Sequence, residues 1–345
     1  MERSSQLVLR SEARLRPGPI LLLNPPRDTL FRQLQSDERP VRVSTQDHGD
    51  YRWLSSGGAS VSFDLLPESD SSCRTVILNL PREKERLAMM LHALSAWMSD
   101  DARLWLVGEN KAGIKSAPRY LRQHFRNVAK LDSARHCGLF EASAPHNERP
   151  FDLDAYATAW NVDFAGQRIE VISLPGVFAH GRVDKGSRLL LDSLEKLRPE
   201  GKILDFACGS GVIGCALLAA GASADLTFLD VSALAIEASG RSLSLSGLKG
   251  ALLPSDGLSE LEGRYDWIIS NPPFHRGVSN DLEIAANFFT EAGTFLTENG
   301  RIVIVCNRHL PYASWLQNHF DRVERLDENS EFIIIQAGKP RKRKE

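Results

Sequence analysis

The chain has 345 residues, of which 42% are hydrophobic and 25% charged, and its formal net charge is −2. That length can supply two separate cores, and so even a balance argues against a protein that simply coats nucleic acid. No apolar run nears the ~20 residues of a membrane span, and Met1-Glu2-Arg3-Ser4-Ser5 opens onto no signal-peptide core, so no membrane role is expected.

The charge is unevenly spread. Residues 1–150 carry 22 Lys and Arg against 18 Asp and Glu, whereas residues 151–338 have a balance of −10, so a polyanionic partner would be held by the first half. In chain order, Leu21-Leu22-Leu23-Asn24-Pro25-Pro26-Arg27 comes first, a turn without glycine. Val76-Ile77-Leu78-Asn79-Leu80-Pro81 and Arg103-Leu-Trp-Leu-Val107 follow as expected strands. Between Glu109 and Asp132 stand Lys111, Lys115, Arg119, Arg122, Arg126 and Lys130 with no acid. Arg119, Arg122, Arg126 and Lys130 are spaced by three, four and four, which predicts one helical face able to meet phosphates. A solvated helix face is the alternative.

These segments recur. Leu121-Arg-Gln-His124-Phe125-Arg-Asn-Val128-Ala-Lys-Leu131-Asp132 matches Leu316-Gln-Asn-His319-Phe320-Asp-Arg-Val323-Glu-Arg-Leu326-Asp327 at six of twelve positions without a gap. Arg103–Val107 resembles Arg301-Ile-Val-Ile-Val305, and Val76–Pro81 resembles Trp267–Pro273, all displaced by 192 to 198 residues. The repeat predicts an α/β protein with two tandem Rossmann-like domains from a duplication. Expected boundaries are residues 1–145 for the first copy, 146–160 for a linker containing Pro150, 161–338 for the second copy, and 339–345 for a disordered basic tail.

The second copy carries the chemistry. Lys202-Ile203-Leu204-Asp205-Phe206 reads as a buried strand, followed by Ala207-Cys208-Gly209-Ser210-Gly211-Val212-Ile213-Gly214 and a helix to Ala220. Glycines let a strand turn tightly into a helix and let a ligand lie against backbone. Leu226-Thr-Phe-Leu229-Asp230 is a second strand ending in a carboxylate placed for ribose hydroxyls, and Val231 follows it. Ala251-Leu252-Leu253 leads to Asp256-Gly257, where Asp256 could accept an adenine amino group. A lone GxGxxG also suits a dinucleotide fold. Asp205 favours S-adenosylmethionine instead, since a carboxylate attracts its ammonium group and would repel a pyrophosphate.

Trp267-Ile268-Ile269 then runs into Asn271-Pro272-Pro273-Phe274-His275. An exocyclic amine conjugated to a ring or carbonyl is a poor nucleophile, and accepting both of its N–H bonds frees the lone pair. The Asn271 side-chain oxygen and the Pro272 carbonyl can do so, the prolines fix the turn, and Phe274 can stack on a base. These residues predict transfer of a methyl group to an amino nitrogen, with no metal required. His275 could take the proton or meet phosphate. The same tripeptide at Asn24-Pro25-Pro26 lacks the accompanying loop and is read as structural, so the first copy is expected to have lost the cofactor.

With these residues in view, the chain resembles the bacterial 16S ribosomal RNA guanine-N2 methyltransferase C family. The resemblance rests on Leu174-Pro-Gly-Val-Phe178, Asp184-Lys-Gly186-Ser-Arg-Leu-Leu-Leu191, the Asp205–Gly214 loop, Asp230-Val-Ser-Ala, Asn271-Pro-Pro-Phe-His275 and Leu310-Pro-Tyr312. It implies methylation of the N2 amino group of guanine 1207 in the small-subunit RNA, and a first domain that aids RNA binding and folding without holding cofactor. It further implies that Asp184 and Gly186 flank the cofactor. Phe178-Ala-His-Gly-Arg-Val183 departs from the family's Phe-Ser-Arg-Asp-x-Leu and leaves Ala179 to Arg182 without a role.

The expected cofactor set is therefore Asp184, Gly186, Asp205, Ala207, Gly209, Gly211, Asp230, Val231, Asp256, Gly257 and Asn271. Asn271, Pro272 and Phe274 form the catalytic set. Pro273, Phe274, His275, Arg119, Arg122, Arg126 and Lys130 contact substrate. The expected partner is 16S rRNA or the 30S subunit, and a monomer is expected. Adenine N6 and protein glutamine N5 remain alternative acceptors. Cys73, Cys137, Cys208, Cys215 and Cys306 form no CxxC pattern, so no disulfide framework or metal is expected, and a reducing cytoplasm is.

Overall fold

The β-rich segments assemble into two sheets with one strand plan. The computed structural model describes the backbone of residues 1–272 and 279–341, and the side chains of all of these except 279–284. It divides into two compact units, Met1–Ala157 and Thr158–Glu345. In the first, the elements are α1 (Arg3–Arg10), β1 (Ile20–Leu23), α2 (Leu30–Leu34), β2 (Val41–Thr45), α3 (His48–Ser56), β3 (Val61–Phe63), β4 (Thr75–Asn79), α4 (Lys84–Trp97), β5 (Arg103–Glu109), α5 (Ala117–Leu121), β6 (Phe125–Ala134) and β7 (Cys137–Pro145). The second begins with a hairpin, β8 (Thr158–Phe164) and β9 (Gln167–Ser173). It continues through α6 (Lys185–Leu197), β10 (Gly201–Phe206), α7 (Val212–Ala219), β11 (Ala224–Asp230), α8 (Ala233–Leu245), β12 (Ala251–Pro254) and β13 (Tyr265–Ser270). It ends with α9 (Ser279–Ala292), β14 (Leu296–Asn307), α10 (Tyr312–His319), β15 (Phe320–Glu328) and β16 (Phe332–Pro340).

The strand orders are β3-β2-β1-β4-β5-β7-β6 and β12-β11-β10-β13-β14-β16-β15. In each sheet the penultimate strand is antiparallel to its neighbours and the rest are parallel. Register follows the sequence repeat: Ile77 faces Trp105 as Ile269 faces Val303. The two domains are thus copies of one α/β unit. Among the described residues no helix is long and apolar enough to cross a membrane.

Central strands are apolar throughout because helices cover both faces. Leu204 and Ile268 point into one core with Phe289 and Tyr312, while Ile203 and Ile269 point into the other with Leu190 and Leu194. Strand order reverses between β10 and β13, and ligands of such sheets bind in the crevice at that reversal, beyond the carboxyl ends of the strands. Asp205 lies in β10, and Asn271 directly follows β13. Phe206 pairs with Ser270, whose hydroxyl donates to the Phe206 carbonyl at 2.8 Å, so residues 64 positions apart meet at the crevice.

Three expectations change. The basic stripe is not a helix: Arg119 lies on the five-residue α5, Arg122 caps it, and Arg126 and Lys130 lie on β6. Phe125 and Val128 pack on one core and Leu131 on the other, and a register shift between Lys130 and Asp132 interrupts the strand's alternation. The twin strand repeats that shift between Arg325 and Asp327. All four cations are exposed, and β6 is an edge strand, where charge also blocks pairing with other chains. The expected linker is shared between units, since His146 donates from its backbone to the His124 carbonyl and His92 bonds Tyr156 and the Arg149 carbonyl, whereas β8 starts at Thr158. The basic tail is ordered at its start, with Lys339 and Pro340 in β16 and Arg341 paired to Asp321; residues 342–345 lie outside the described residues.

In the first unit, the crevice is closed by its own side chains. Gln46 follows β2, where Val231 follows β11. Its backbone N–H donates to Asn24 Oδ1 at 2.9 Å, and its side-chain oxygen accepts from Asn24 at 3.2 Å and from Arg86 Nε at 2.8 Å. Thr45 ends β2, where Asp230 ends β11, so the carboxylate suited to ribose is missing as well.

Candidate active site

The loop after β10 is built on two buried carboxylates. Asp205 is 1% exposed; its Oδ2 accepts from the Gly214 backbone at 3.0 Å, while its Oδ1 has no partner among the described residues. Burial, with repulsion from Asp230 and against the Gly214 hydrogen bond, pushes the Asp205 carboxyl up to about 7. Asp230 is held from both sides, Oδ2 accepting from Gly209 N–H and Oδ1 from Ser232 N–H, each at 2.9 Å. These two backbone donors aim the Asp230 carboxylate.

The turn itself is left-handed at Ala207, Gly209 and Gly211, with φ of 56°, 58° and 74°. At Gly209 only the backbone angle calls for glycine, because an added Cβ would lie 3.8 Å from its nearest neighbour, Val177. Gly214 is different. A Cβ there would lie 2.4 Å from the Phe228 ring and 2.8 Å from Leu226, so this glycine serves close packing of α7 on β11. Gly214→Val is therefore expected to destabilise the protein by about 1–3 kcal/mol through overpacking, read as a lower denaturant midpoint with an unchanged m-value.

The third strand supplies a turn. Ser255 is buried; its hydroxyl donates to the Gly257 carbonyl at 3.0 Å and accepts from Glu260 N–H at 3.1 Å, which leaves Asp256 exposed at the turn and Gly257 at φ 59°. Val231 is half-buried beside Asp230.

Asn271 is fixed by the start of α6. Asp184 caps that helix, accepting from Gly186 N–H at 2.8 Å and Ser187 N–H at 3.2 Å. The Asn271 amide nitrogen donates to Asp184 Oδ2 at 2.9 Å and to Ser187 Oγ at 2.8 Å. Gly186 packs so closely that a Cβ would lie 3.1 Å from Asp184 Oδ1. Pro272 is buried, whereas Pro273, Phe274 and His275 lie outside the described residues. The structure thus brings Asp184, Gly186, Ser187 and Asn271 together, and joins Gly209 to Asp230. Arg119, Arg122, Arg126 and Lys130 belong to the other unit.

The loop before Asp184 gains roles that its sequence left blank. Ala179 turns left-handed at φ 53°, and His180 bonds Ser173 Oγ at 2.8 Å and Thr158 Oγ1 at 3.2 Å, tying the loop to the β8–β9 hairpin. Between Val177, which is buried, and this tie, Phe178 is left 60% exposed. Ser187 was the functional residue hidden in the sequence. An Asp three residues ahead of it signals a helix cap, but nothing signals the bond to a residue 84 positions away.

Carboxylates at Asp205 and Asp230 in the β10 and β11 strands and at Asp184 before α6, with the oriented Asn271 amide after β13, suit a cationic ligand with ribose hydroxyls and an amine acceptor. Comparison with known proteins agrees. Residues 168–336 match the methyltransferase small domain and residues 5–160 the N-terminal domain that accompanies it. The chain is 36% identical over 341 residues to ribosomal RNA small subunit methyltransferase C of Pseudoalteromonas atlantica, covering 97% of this chain and 98% of the relative. Its counterpart in Pseudomonas entomophila is also 36% identical, with 98% and 99% covered. A solved structure described as the T. thermophilus 16S rRNA N2 G1207 methyltransferase in complex with AdoMet and guanosine matches with a TM-score of 0.86, covering 98% of this chain and 92% of that one at 23% identity, which shows a common fold through both units. The chain belongs to the ribosomal RNA small subunit methyltransferase C family.

Proposed function

We propose that this protein transfers a methyl group from S-adenosylmethionine to the exocyclic N2 amino group of a guanine in 16S rRNA, with its second unit as the catalytic one. The observation that carries this reading is the placement of the pinned Asn271 amide beside the glycine loop, at the point where strand order reverses. The names of the relatives support the RNA, and the guanosine bound in the matched structure supports the base. Guanine 1207 is the position that structure's description gives.

The residues fit the cofactor on physical grounds. Asp205 Oδ1 is a buried acceptor without a partner among the described residues, a costly arrangement that an ammonium group relieves. Asp230, aimed by the Gly209 and Ser232 N–H groups at the carboxyl end of β11, is placed for ribose hydroxyls, and Asp256 with Gly257 follows the next strand, placed for the adenine edge. Asp184, Gly186, Ala207, Gly211 and Val231 complete the lining. When bound, the cofactor supplies an electrophilic methyl group on a sulfonium centre.

The protein's own work is orientation. Asn271 Oδ1 and the Pro272 carbonyl accept the two amine hydrogens, which withdraws the nitrogen lone pair from the guanine ring and aims it in line with the methyl group. Phe274, which lies outside the described residues with Pro273 and His275, is assigned the stacking role by its residue type. Once alkylated, the nitrogen is cationic and loses its proton without a strong base.

Labelled methyl transfer to undermethylated 30S subunits and to free 16S RNA, with nucleoside identification, tests this. N2-methylguanosine at one position is the expected product. Label in N6-methyladenosine would remove guanine as the acceptor, and label in protein would point to glutamine.

We further infer that the first unit holds RNA through Arg119, Arg122, Arg126 and Lys130, which are exposed and have no ion-pair partner among the described residues. Replacing Arg122 and Arg126 with Ala is expected to weaken RNA binding across sequences and lower the slope of log Kd against log salt by about one to two, with cofactor affinity unchanged. An unchanged slope would reduce these cations to guards of the sheet edge. A monomer is the expected state, and sedimentation measures it.

A further inference from the structure

We propose that Asp184 and Ser187 are positioning residues that lock the sense of the Asn271 amide and so make the site select an amino group; this rests on the reading above. A carboxylate can only accept, so the Asn271 atom 2.9 Å from Asp184 Oδ2 must be the amide nitrogen. Its second hydrogen goes to Ser187 Oγ at 2.8 Å. Rotating the amide by half a turn would set its oxygen against the carboxylate, replacing an attraction with a repulsion. The carbonyl end is therefore held on the side away from α6, as an acceptor.

The lock is rigid because its parts are. Asp184 is tied by two backbone N–H groups, Ser187 is 6% exposed, and α6 is anchored by the fully buried Leu190, Leu191 and Leu194. Sense decides selectivity: an acceptor recognises N–H, whereas the flipped amide would present a donor and recognise a carbonyl. Asp184 adds a second effect through its charge. The substrate nitrogen becomes positive as the new N–C bond forms and the S–C bond breaks, and a carboxylate bonded to the amide polarises the Asn271 oxygen toward that charge.

Three full-length variants separate sense, charge and structure: Ser187→Ala, Ser187→Thr and Asp184→Asn. The readouts are kcat and KM on 30S subunits, S-adenosylmethionine Kd by calorimetry, and the ratio of Kd for RNA bearing guanosine or inosine at the target, since inosine lacks the amine. Ser187→Ala is expected to lower kcat about tenfold and shrink the guanosine preference by a similar factor, the loss of one hydrogen bond, with cofactor Kd and melting unchanged. Ser187→Thr keeps the hydroxyl and restores both. Asp184→Asn keeps an acceptor for the amide and is expected to retain the preference while lowering kcat. Unchanged kcat and preference in Ser187→Ala, or a weaker cofactor Kd with the preference intact, would overturn the proposal. A wild-type protein that does not prefer guanosine would overturn the reading beneath it as well.

Discussion

Asn271→Ala is expected to lower kcat by about 10²–10³-fold while leaving the Kd for S-adenosylmethionine within about twofold of wild type, the size of effect seen when one oriented polar group is taken from a developing charge. The amide is held by Asp184 and Ser187, and its removal leaves those groups in place and does not touch Asp205 or Asp230, the carboxylates proposed to meet the cofactor. Asn271→Asp is expected to fare no better. A carboxylate at that position cannot donate to Asp184, and two carboxylates at hydrogen-bond distance repel unless one takes up a proton. Single-turnover rates and calorimetric titrations of both variants decide the matter. Equal losses in rate and in cofactor binding would recast Asn271 as a wall of the cofactor site.

Much of this arrangement could be read before any coordinates. The offsets of 192 and 198 residues between repeated segments already contain the register that pairs Ile77 with Trp105 and Ile269 with Val303, because a duplication preserves pairing along with sequence. Asp205, the glycines and Asp230 were visible because a strand-to-helix turn around a ligand leaves a local pattern. What could not be read depends on contacts between distant parts of the chain. Gly214 resembles a ligand glycine in sequence, yet its lack of a side chain serves Phe228. The Arg119–Lys130 stretch has helical spacing only because it runs from a short helix through its cap into an edge strand, a change of element that the spacing does not mark. Closure of the first crevice by Gln46 and Arg86 combines residues 40 positions apart, neither of which is unusual alone. Ser187 acts on Asn271 across 84 positions, and no local pattern announces such a pair.

Cofactor affinity is expected to depend on pH through Asp205, and Asp205→Asn to abolish that dependence and weaken binding at pH 8 by about 10²-fold or more, the consequence of leaving a buried cation without its partner. The carboxyl ordinarily titrates at 3.8 and is pushed up to about 7 by burial and by Asp230, with only the Gly214 N–H opposing them. The folded protein therefore keeps a proton that the unfolded chain has released. Stability from this group is complete below pH about 4 and is lost as pH rises through about 7. An ammonium group beside Asp205 replaces that proton. Below pH 7 binding must expel it, and affinity should fall by about tenfold per pH unit; above pH 7 the carboxylate is already charged and affinity should level off. Calorimetry at pH 6 in two buffers of different ionisation enthalpy reads the expelled proton directly, as a difference in apparent heat that disappears at pH 8 and in Asp205→Asn. A flat affinity profile in the wild type would mean that the cation binds elsewhere, and an equal slope in the variant would assign the proton to another group, with Asp230 the nearest carboxylate to test.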